Sequence, residues 1–329
     1  MRPPQRRLCP TMLGVALGLA GAAGPANAQG FPVKPIRMIV GFPPGGVVDI
    51  VARGIALPMG EMLGQPILVD SRPGAAGTIG LTLLNAAPPD GYTIGLASIS
   101  NLVLAPHLNP KITYHPVRDF TPITNVGRVP FVLAVNPTVP AKSLKELVAL
   151  ARAQPGKLNF GSPGVGGLQH LTIGMLNFMA KVDITHVAYK GTGPAMADVL
   201  GGQIDGVVAG ISGMVAASKA GKLRILALTG DTRSPALPDV PTAQEQGLPG
   251  MVVLNWYSFV GPPKLSGQPL ATLFSTIVKA AHLPATRERF DAAGIDIKTD
   301  DSPAAFGRYV GEEDARWGQV VKTTGIKIE

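Results

Sequence analysis

The sequence predicts an α/β protein with largely parallel sheets, folded as two lobes of similar size. Short apolar segments typical of strands alternate with amphipathic segments typical of helices, which is the pattern of parallel β–α units. Loops rich in glycine and proline follow the ends of several of these strands. The pattern restarts near Phe131, so a second lobe is expected from there.

The N-terminal segment predicts export. A positively charged start precedes a short apolar stretch and a small-residue cleavage site, Ala26-Asn27-Ala28. We therefore expect a signal peptide over residues 1–28, cleaved after Ala28. The only cysteine, Cys9, lies inside this segment, so the exported chain is predicted to have no disulfide, thiol nucleophile or cysteine-bound metal.

The first lobe is predicted to take residues 29–128. It contains three strand patterns, and the first two are each followed by a helix pattern. The predicted strands are Ile36–Val40, Ile67–Asp70 and Thr93–Ala97, and the predicted helices are Asp49–Leu63 and Thr78–Ala86.

The second lobe is predicted to take residues 129–249, and residues 250–329 are predicted to return to the first lobe. Two crossings between lobes would form a hinge and leave a cleft. The predicted strands of the second lobe are Phe131–Val135, Leu158–Gly161, Thr185–Val187, Val207–Ala209 and Leu223–Leu228. Its predicted helices are Ser143–Ala153, one from about Leu168, one ending at Leu200, and Thr242–Gln246, and those of the tail are Leu270–Ala281, Pro284–Ala293 and Pro303–Lys322.

The net charge and the composition limit the classes of partner and cofactor that we expect. The formal charge is +8, and loss of the signal arginines reduces it to about +5. Lysines and arginines are scattered and form no basic run with interleaved aromatics, so nucleic acid is not an expected partner. The five histidines, at positions 107, 115, 170, 186 and 282, lack metal-ligand spacing. The sequence therefore predicts neither a metal nor a cofactor.

The loop after the first predicted strand is the most informative feature. In Gly41-Phe42-Pro43-Pro44-Gly45-Gly46, glycines leave backbone N–H groups uncovered at the N-terminus of a helix, where small anions such as carboxylates bind. Asp49 is a candidate helix cap. If ionised, it would repel a bare carboxylate, so water or a ligand amine would have to separate them. The glycine spacing fits neither a Walker loop nor a dinucleotide loop.

A second loop of the same kind, Ser162-Pro163-Gly164-Val165-Gly166-Gly167, precedes the helix that carries His170. Two facing donor loops suit a dicarboxylate or an amino acid. For His170, helix capping and ligand contact are both open. Thr192 offers a hydroxyl, and Asp205 is either a turn residue or an acceptor for a ligand N–H or hydroxyl.

Polar side chains elsewhere form no catalytic motif. Ser98 and Asn101, after the third predicted strand, are candidate pocket donors and are also common in ordinary loops. Serines beside glycine lack the Gly-x-Ser-x-Gly setting, and no paired-carboxylate motif is present. These patterns favour binding over catalysis.

Eight short segments together carry a family resemblance. They are Phe31–Arg37, Gly41–Arg53, Val69–Gly77, Pro89–Thr93, Asp119–Ile123, Gly161–Gly166, Tyr189–Ala195 and Gly201–Asp205. In this order the chain closely resembles the periplasmic substrate-binding proteins of tripartite tricarboxylate transporters, the Bug receptors. Ala188 and Ser258 depart from the family pattern, which often has proline and glycine at these positions.

The resemblance implies a two-lobed periplasmic-binding-protein fold of the Venus-flytrap, type II-like kind that closes on a small carboxylate. It implies that transmembrane transporter subunits are the partners of a periplasmic protein, which we expect to be a monomer. The first-lobe ligand residues that it implies are Phe42, Pro44, Gly45, Gly46 and Asp49. Those of the second lobe are Ser162, Gly164, Gly166, His170, Thr192 and Asp205.

Two questions stay open at this point. Lys190 would favour a second carboxylate on the ligand, whereas Asp205 would favour an amine, amide or hydroxyl, so dicarboxylates, tricarboxylates, amino acids and aromatic acids all fit. The alternative function is a secreted α/β enzyme acting on small organic acids. It would need a nucleophile or base in the cleft, and a receptor would return its ligand unchanged.

Overall fold

The computed structural model describes residues 30–211 and 214–325, so the predicted signal peptide lies outside the described residues. The strands are β1 Ile36–Val40, β2 Ile67–Ser71, β3 Thr93–Ser98, β4 Thr121–Val135, β5 Asn159–Ser162, β6 Thr185–Ala188, β7 Gly206–Gly210, β8 Arg224–Leu228, β9 Leu254–Gly261 and β10 Asp296–Ile297. The helices are α1 Val47–Leu63, α2 Thr78–Asn85, α3 Ala105–Leu108, α4 Leu144–Ala153, α5 Leu168–Ala180, α6 Thr192–Leu200, α7 Met214–Lys219, α8 Gly267–His282, α9 Pro284–Ala292 and α10 Pro303–Thr324.

The strands form one mixed sheet in the order β2-β1-β3-β9-β4-β7-β5-β6, with β8 and β10 also pairing with β4. β1 is parallel to β2 and β3, and β5 is parallel to β6 and β7. β9 runs antiparallel to both β3 and β4, and β4 runs antiparallel to β7 and β8. The predicted α/β class with parallel units is confirmed.

β4 connects two groups of strands. Its residues 121–130 pair with β9, and its residues 131–135 pair with β7 and β8. The chain therefore passes from the first group (β1, β2, β3, β9) to the second group (β5, β6, β7, β8) within β4, and returns between β8 and β9. The predicted lobe boundaries near residues 128 and 249 stay a prediction.

Apolar packing joins helices to both groups. One buried cluster packs α1 and α8 against the first group, and another packs α6 against β7. α10 contacts both β4 and α5, and it buries Phe306 and Trp317 together with Trp256 of β9. Each such buried side chain contributes about 1.5–3 kcal/mol. In the part of the chain that the structure describes, no helix has the length and apolar composition needed to cross a bilayer.

Two local predictions differ from the structure. The predicted helix Thr242–Gln246 is wrong, because Thr242 bridges to Leu228 and only turns follow it. Thr242 and Glu245 do form the reciprocal side-chain bonds of a capping box, but Gly247 turns the chain at φ +92° after one turn. β4 is also ten residues longer than the predicted strand 131–135, since it begins at Thr121.

Candidate functional site

Three loops meet at the carboxyl ends of β1, β2 and β3. The amide of Arg72 donates to the carbonyl of Val40 at 2.7 Å, which joins the loop after β2 to the end of β1. A Cβ atom on Gly41 would lie 2.7 Å from Cα of Gly77, and one on Gly77 would lie 2.8 Å from the ring of Phe42. Glycine is therefore required at both positions, and Phe42 covers the contact between the two loops.

The loop after β1 presents unused backbone donors. Gly46 caps α1 without a side-chain bond, and a Cβ on Gly45 or Gly46 would meet nothing within 4 Å. The amides from Gly46 to Asp49 have no acceptor among the described residues, as expected for the first turn of a helix. The exposed Pro44, Gly45 and Gly46 therefore leave an anion site open at the positive end of α1.

Asp49 stabilises this loop from inside the helix. It is the third residue of α1, and its buried carboxylate accepts the Gly45 amide at 3.2 Å. Arg53 donates to the same carboxylate at 2.9 Å. Arg53 therefore reduces the predicted repulsion of a ligand carboxylate by Asp49, and the water or ligand amine expected between them stays a prediction.

Ser98 and Asn101 lie behind the loops rather than at the surface. Both side chains are buried, and Asn101 Oδ1 accepts from the Ser98 amide at 2.7 Å. Asn101 Nδ2 donates to the Gly77 carbonyl at 3.4 Å, and the Tyr114 hydroxyl donates to the Asn101 carbonyl. The structure favours a supporting role for these two residues.

The loop after β2 contains backbone strain that sequence reasoning missed. Ala75 and Ala76 have φ values of +45° and +55°, a left-handed conformation that costs about 1–2 kcal/mol for each non-glycine residue. They lie between Gly74 and Gly77, next to the Gly41–Phe42 contact. Strain of this kind clusters at ligand sites. The signal in the sequence was the run Gly74-Ala75-Ala76-Gly77 after a strand.

A second set of loops follows β5 and β6. The Tyr189 amide donates to the Ser162 carbonyl at 2.9 Å, and the Gly191 amide donates to the Pro163 carbonyl at 3.0 Å. Gly167 caps α5 without a side-chain bond, so this helix also begins with open donors. Thr192 begins α6 and is exposed beside this pair of loops.

Two histidines support the second loop. Nδ1 of His170 accepts from the Gly166 amide at 3.1 Å, and Nε2 of His186 lies 2.6 Å from the Ser162 hydroxyl. Their rings stack with centroids 3.8 Å apart. Burial lowers the pKa of His170, and burial together with the neighbouring His170 ring lowers the pKa of His186 to about 4. His170, on α5, thus acts as a cap, while His186, on β6, was not predicted as a site residue.

Asp205 lies away from these residues. It precedes β7, and its carboxylate accepts from the amide of Asn159 at 2.7 Å. Asn159 begins β5 whereas Ser162 ends it, so Asp205 is at the amino edge of the parallel strands and Ser162 is at the carboxyl edge. The structure favours the turn-residue alternative for Asp205.

Strand directions make the two carboxyl edges face each other. β1, β2 and β3 run in the direction of β4, whereas β5, β6 and β7 run against it. The end of β3 is level with Gly127 of β4, and the end of β7 is level with Phe131. Four strand residues separate these levels, or about 13 Å. The loops that follow the two edges therefore face each other across this distance.

The described residues offer no site for a metal. Among them, no three or more histidine, cysteine, aspartate or glutamate side chains are grouped so that they could hold an ion. The donors at both edges are backbone amides and hydroxyls, which suit an anionic oxygen rather than a cation.

Comparison with known proteins identifies the family of this chain. The model of the tripartite tricarboxylate transporter family receptor, TctC, matches residues 51–326. BugT of Bordetella pertussis is 35% identical over 321 residues, which cover 97% of this chain and 98% of BugT.

Two solved structures from Rhodopseudomonas palustris are also similar over most of their length. MatC with bound malate is 33% identical, has a TM-score of 0.71, and covers 88% of this chain and 100% of its own. A second protein, solved with adipate, is 30% identical, has a TM-score of 0.74, and covers 90% of this chain and 99% of its own. The predicted periplasmic-binding-protein fold is confirmed.

Proposed function

Because the chain belongs to the tripartite tricarboxylate transporter receptor family, we propose that it is a periplasmic receptor for a small organic carboxylate. The ligand lies between the two loop edges and is passed to the transmembrane subunits of a transporter. The proposed ligand residues are Phe42, Pro44, Gly45, Gly46, Asp49, Ser162, Gly164, Gly166, His170 and Thr192, with Ser98 and Asn101 behind them.

One arrangement supports the proposal: α1 follows β1 and α5 follows β5, and the carboxyl edges to which these two strands belong face each other. Each helix begins with a glycine that has no side-chain cap, so each offers unused N–H groups. Each is therefore suited to one anionic group. A ligand with an acidic group at both ends would use both helices.

We propose a dicarboxylate as the ligand class. Relatives solved with malate and with adipate have the same fold, and both compounds are dicarboxylates of different length. The Asp49–Arg53 pair leaves little net charge at the first edge, so the open amides are the main attraction there for an acidic group.

The contact between Ser162 and His186 is the one feature that favours an enzyme. A serine nucleophile needs an accessible hydroxyl and a base oriented by a third group. Ser162 is fully buried and its hydroxyl also contacts the Gly164 carbonyl at 2.9 Å. Among the described residues, no carboxylate is hydrogen-bonded to His186. These observations support a receptor without turnover.

A thermal-shift screen of the exported protein, freed of ligand by refolding, tests the proposal. The panel contains succinate, malate, adipate, citrate, glutamate and benzoate. A ligand at 100 times its Kd stabilises the protein by about 2.7 kcal/mol, which raises Tm by several degrees. Mass spectrometry of the recovered ligand checks that it is unchanged.

Two variants on the same helix make the screen specific. Gly46→Trp places a ring over the open amides of α1, so we expect it to abolish the shift. Leu57→Trp, at a position 70% exposed further along α1, is the matched control and keeps the shift. A panel without any shift, or a ligand recovered as a new product, contradicts the receptor proposal.

A further inference from the structure

Two imidazole rings clamp the second loop, one at each end. His170 accepts the amide of Gly166, and His186 contacts the hydroxyl of Ser162. Their planes are 14° apart and stack closely. The stacked pair therefore contacts both ends of the loop from Ser162 to Gly166, which is also held by the backbone bonds from Tyr189 and Gly191.

The hydrogen bonds assign the protons on both rings. Nδ1 of His170 accepts an N–H, so it carries no proton. The Ser162 hydroxyl has one proton, which it donates to the Gly164 carbonyl at 2.9 Å. Nε2 of His186 therefore donates to the Ser162 oxygen. The free Nδ1 makes the His170 ring neutral, and a pKa lowered to about 4 keeps the His186 ring neutral at pH 7.

The surroundings of the pair contain no compensating charge. The rings border an open groove of about 420 Å³ between α5, β6 and the end of α10. Apart from the two histidines, the polar side chains that line it are Asn177 of α5 and Thr323 of α10, while β5 contributes Ser162. Among the described residues, no carboxylate, lysine or arginine faces the pair there. A positive charge on either ring is therefore uncompensated.

We propose that the His170–His186 pair positions the second anion-binding loop, and that protonation of His170 in acid releases this loop and weakens carboxylate binding. A proton on Nδ1 of His170 turns the acceptor of the Gly166 amide into a second donor, so the bond breaks. A charge on one ring also opposes a charge on the stacked ring. The effect on ligand affinity rests on the proposed function, whereas the release of the loop does not.

The test follows the ligand-free protein by NMR from pH 7.5 to pH 5. We expect the Gly166 amide signal to move together with the His170 ring signals, with a midpoint below that of an exposed histidine. In His170→Asn the side-chain oxygen replaces Nδ1 as an acceptor that does not titrate, so the Gly166 signal should stay fixed. His282→Gln, at an exposed position on α8, is the control and should match the wild type.

A second variant separates positioning from simple folding. His186→Gln keeps a donor for Ser162 and removes the ring stacked on His170, which reduces the burial of His170, so the midpoint of His170 should rise. The inference is overturned if the Gly166 signal stays fixed while wild-type His170 titrates. It is also overturned if the signal moves equally in His170→Asn.

The affinity for malate and adipate, measured at pH 7.5 and at pH 5, tests the proposed effect on ligand binding. Between pH 7.5 and pH 5 the ligand carboxylates lose charge equally for both proteins, so the loss of one hydrogen bond to the loop should appear as up to about fivefold more weakening in the wild type than in His170→Asn. Equal weakening in both proteins overturns the link to ligand affinity. If neither compound binds at pH 7.5, the proposed dicarboxylate function fails, and the ligand-free arm still decides the role of the pair.

Discussion

The loop after β1 and the loop after β5 have the same pattern of backbone hydrogen bonding, but a different type of side chain accepts the loop amide in each. In each, a glycine caps the helix, and the third helical residue accepts the amide four positions earlier, as in Gly45–Asp49 and Gly166–His170. In the first loop the acceptor is a carboxylate paired with Arg53. In the second it is an imidazole stacked on another imidazole. The same backbone arrangement thus depends on an ion pair at one edge and on a stacked pair of histidines at the other.

The largest expected effect is on the free energy of unfolding, when Gly41 beside the first loop and Gly161 beside the second are each replaced by alanine. In Gly41→Ala the new Cβ meets the backbone of Gly77, which cannot rotate away, so we expect a loss of about 2–3 kcal/mol. In Gly161→Ala the Cβ meets the flexible tip of Ile204 and, less closely, the side-chain ring of Tyr189, so about 1 kcal/mol should be lost. Urea unfolding measures both, with Gly46→Ala as the open-space control. Equal losses would show that the first edge is no more rigid than the second.

A smaller effect on stability is expected at Asp205, which lies outside both loops. Asp205→Ala removes the acceptor of the Asn159 amide at the opposite edge of the sheet, which should cost about 1.5 kcal/mol of unfolding free energy. Because Asp205 belongs to neither loop, the affinity for carboxylates should not change. Calorimetry of unfolding and of ligand binding checks both parts. If the folded variant bound the ligand more weakly, Asp205 would have to be counted among the ligand-binding residues.

The pH dependence of stability tests the histidine pair that holds the second loop. The folded pKa values of His170 and His186 are lowered, so the unfolded chain binds more protons. Their contribution is complete above pH 6.5 and is lost as the pH falls toward 4. After allowance for solvent screening, we expect a loss of about 1 kcal/mol, measured as the difference between the wild type and His170→Asn/His186→Gln. Parallel pH profiles would contradict this expectation.

The smallest effect is expected at the first acceptor. Arg53→Gln removes the partner of Asp49 at a half-exposed position, so the cost should be about 0.5 kcal/mol at low salt. It should shrink in 1 M NaCl, where exposed ion pairs are screened. Unfolding of both proteins at the two salt concentrations measures it. A cost that does not depend on salt would mean that Arg53 acts by packing rather than by charge.

Local sequence patterns predicted the first loop and most elements around it. The strand Ile36–Val40 and the open glycine loop follow from apolar runs and residue type alone. β4 was predicted at only a third of its length, because Pro122 and Pro130 are unfavourable in a central strand. Both lie in the part of β4 that pairs with β9, which is visible only in the folded chain.

The surroundings of the second loop were harder to predict, because they depend on the pairing of strands that are far apart in the sequence. His186 is sixteen residues beyond His170, and only the pairing of β6 with β5 brings it to Ser162. Asp205 follows a Gly-rich turn and looks like a pocket residue, yet strand direction places it at the far edge. Sequence patterns identify the loops, whereas strand order and direction decide which side chains share an edge.

The two tryptophans of the chain give it an internal optical reporter. The indole N–H groups of Trp256 and Trp317 lie 3.3 and 3.2 Å from the same Glu313 oxygen. Trp256 is on β9, by which the chain returns to the first group of strands, and Trp317 is on α10, which contacts both groups. Neither binding loop contains a tryptophan. A change in intrinsic fluorescence on adding ligand would therefore report movement at this junction, rather than quenching by the ligand itself.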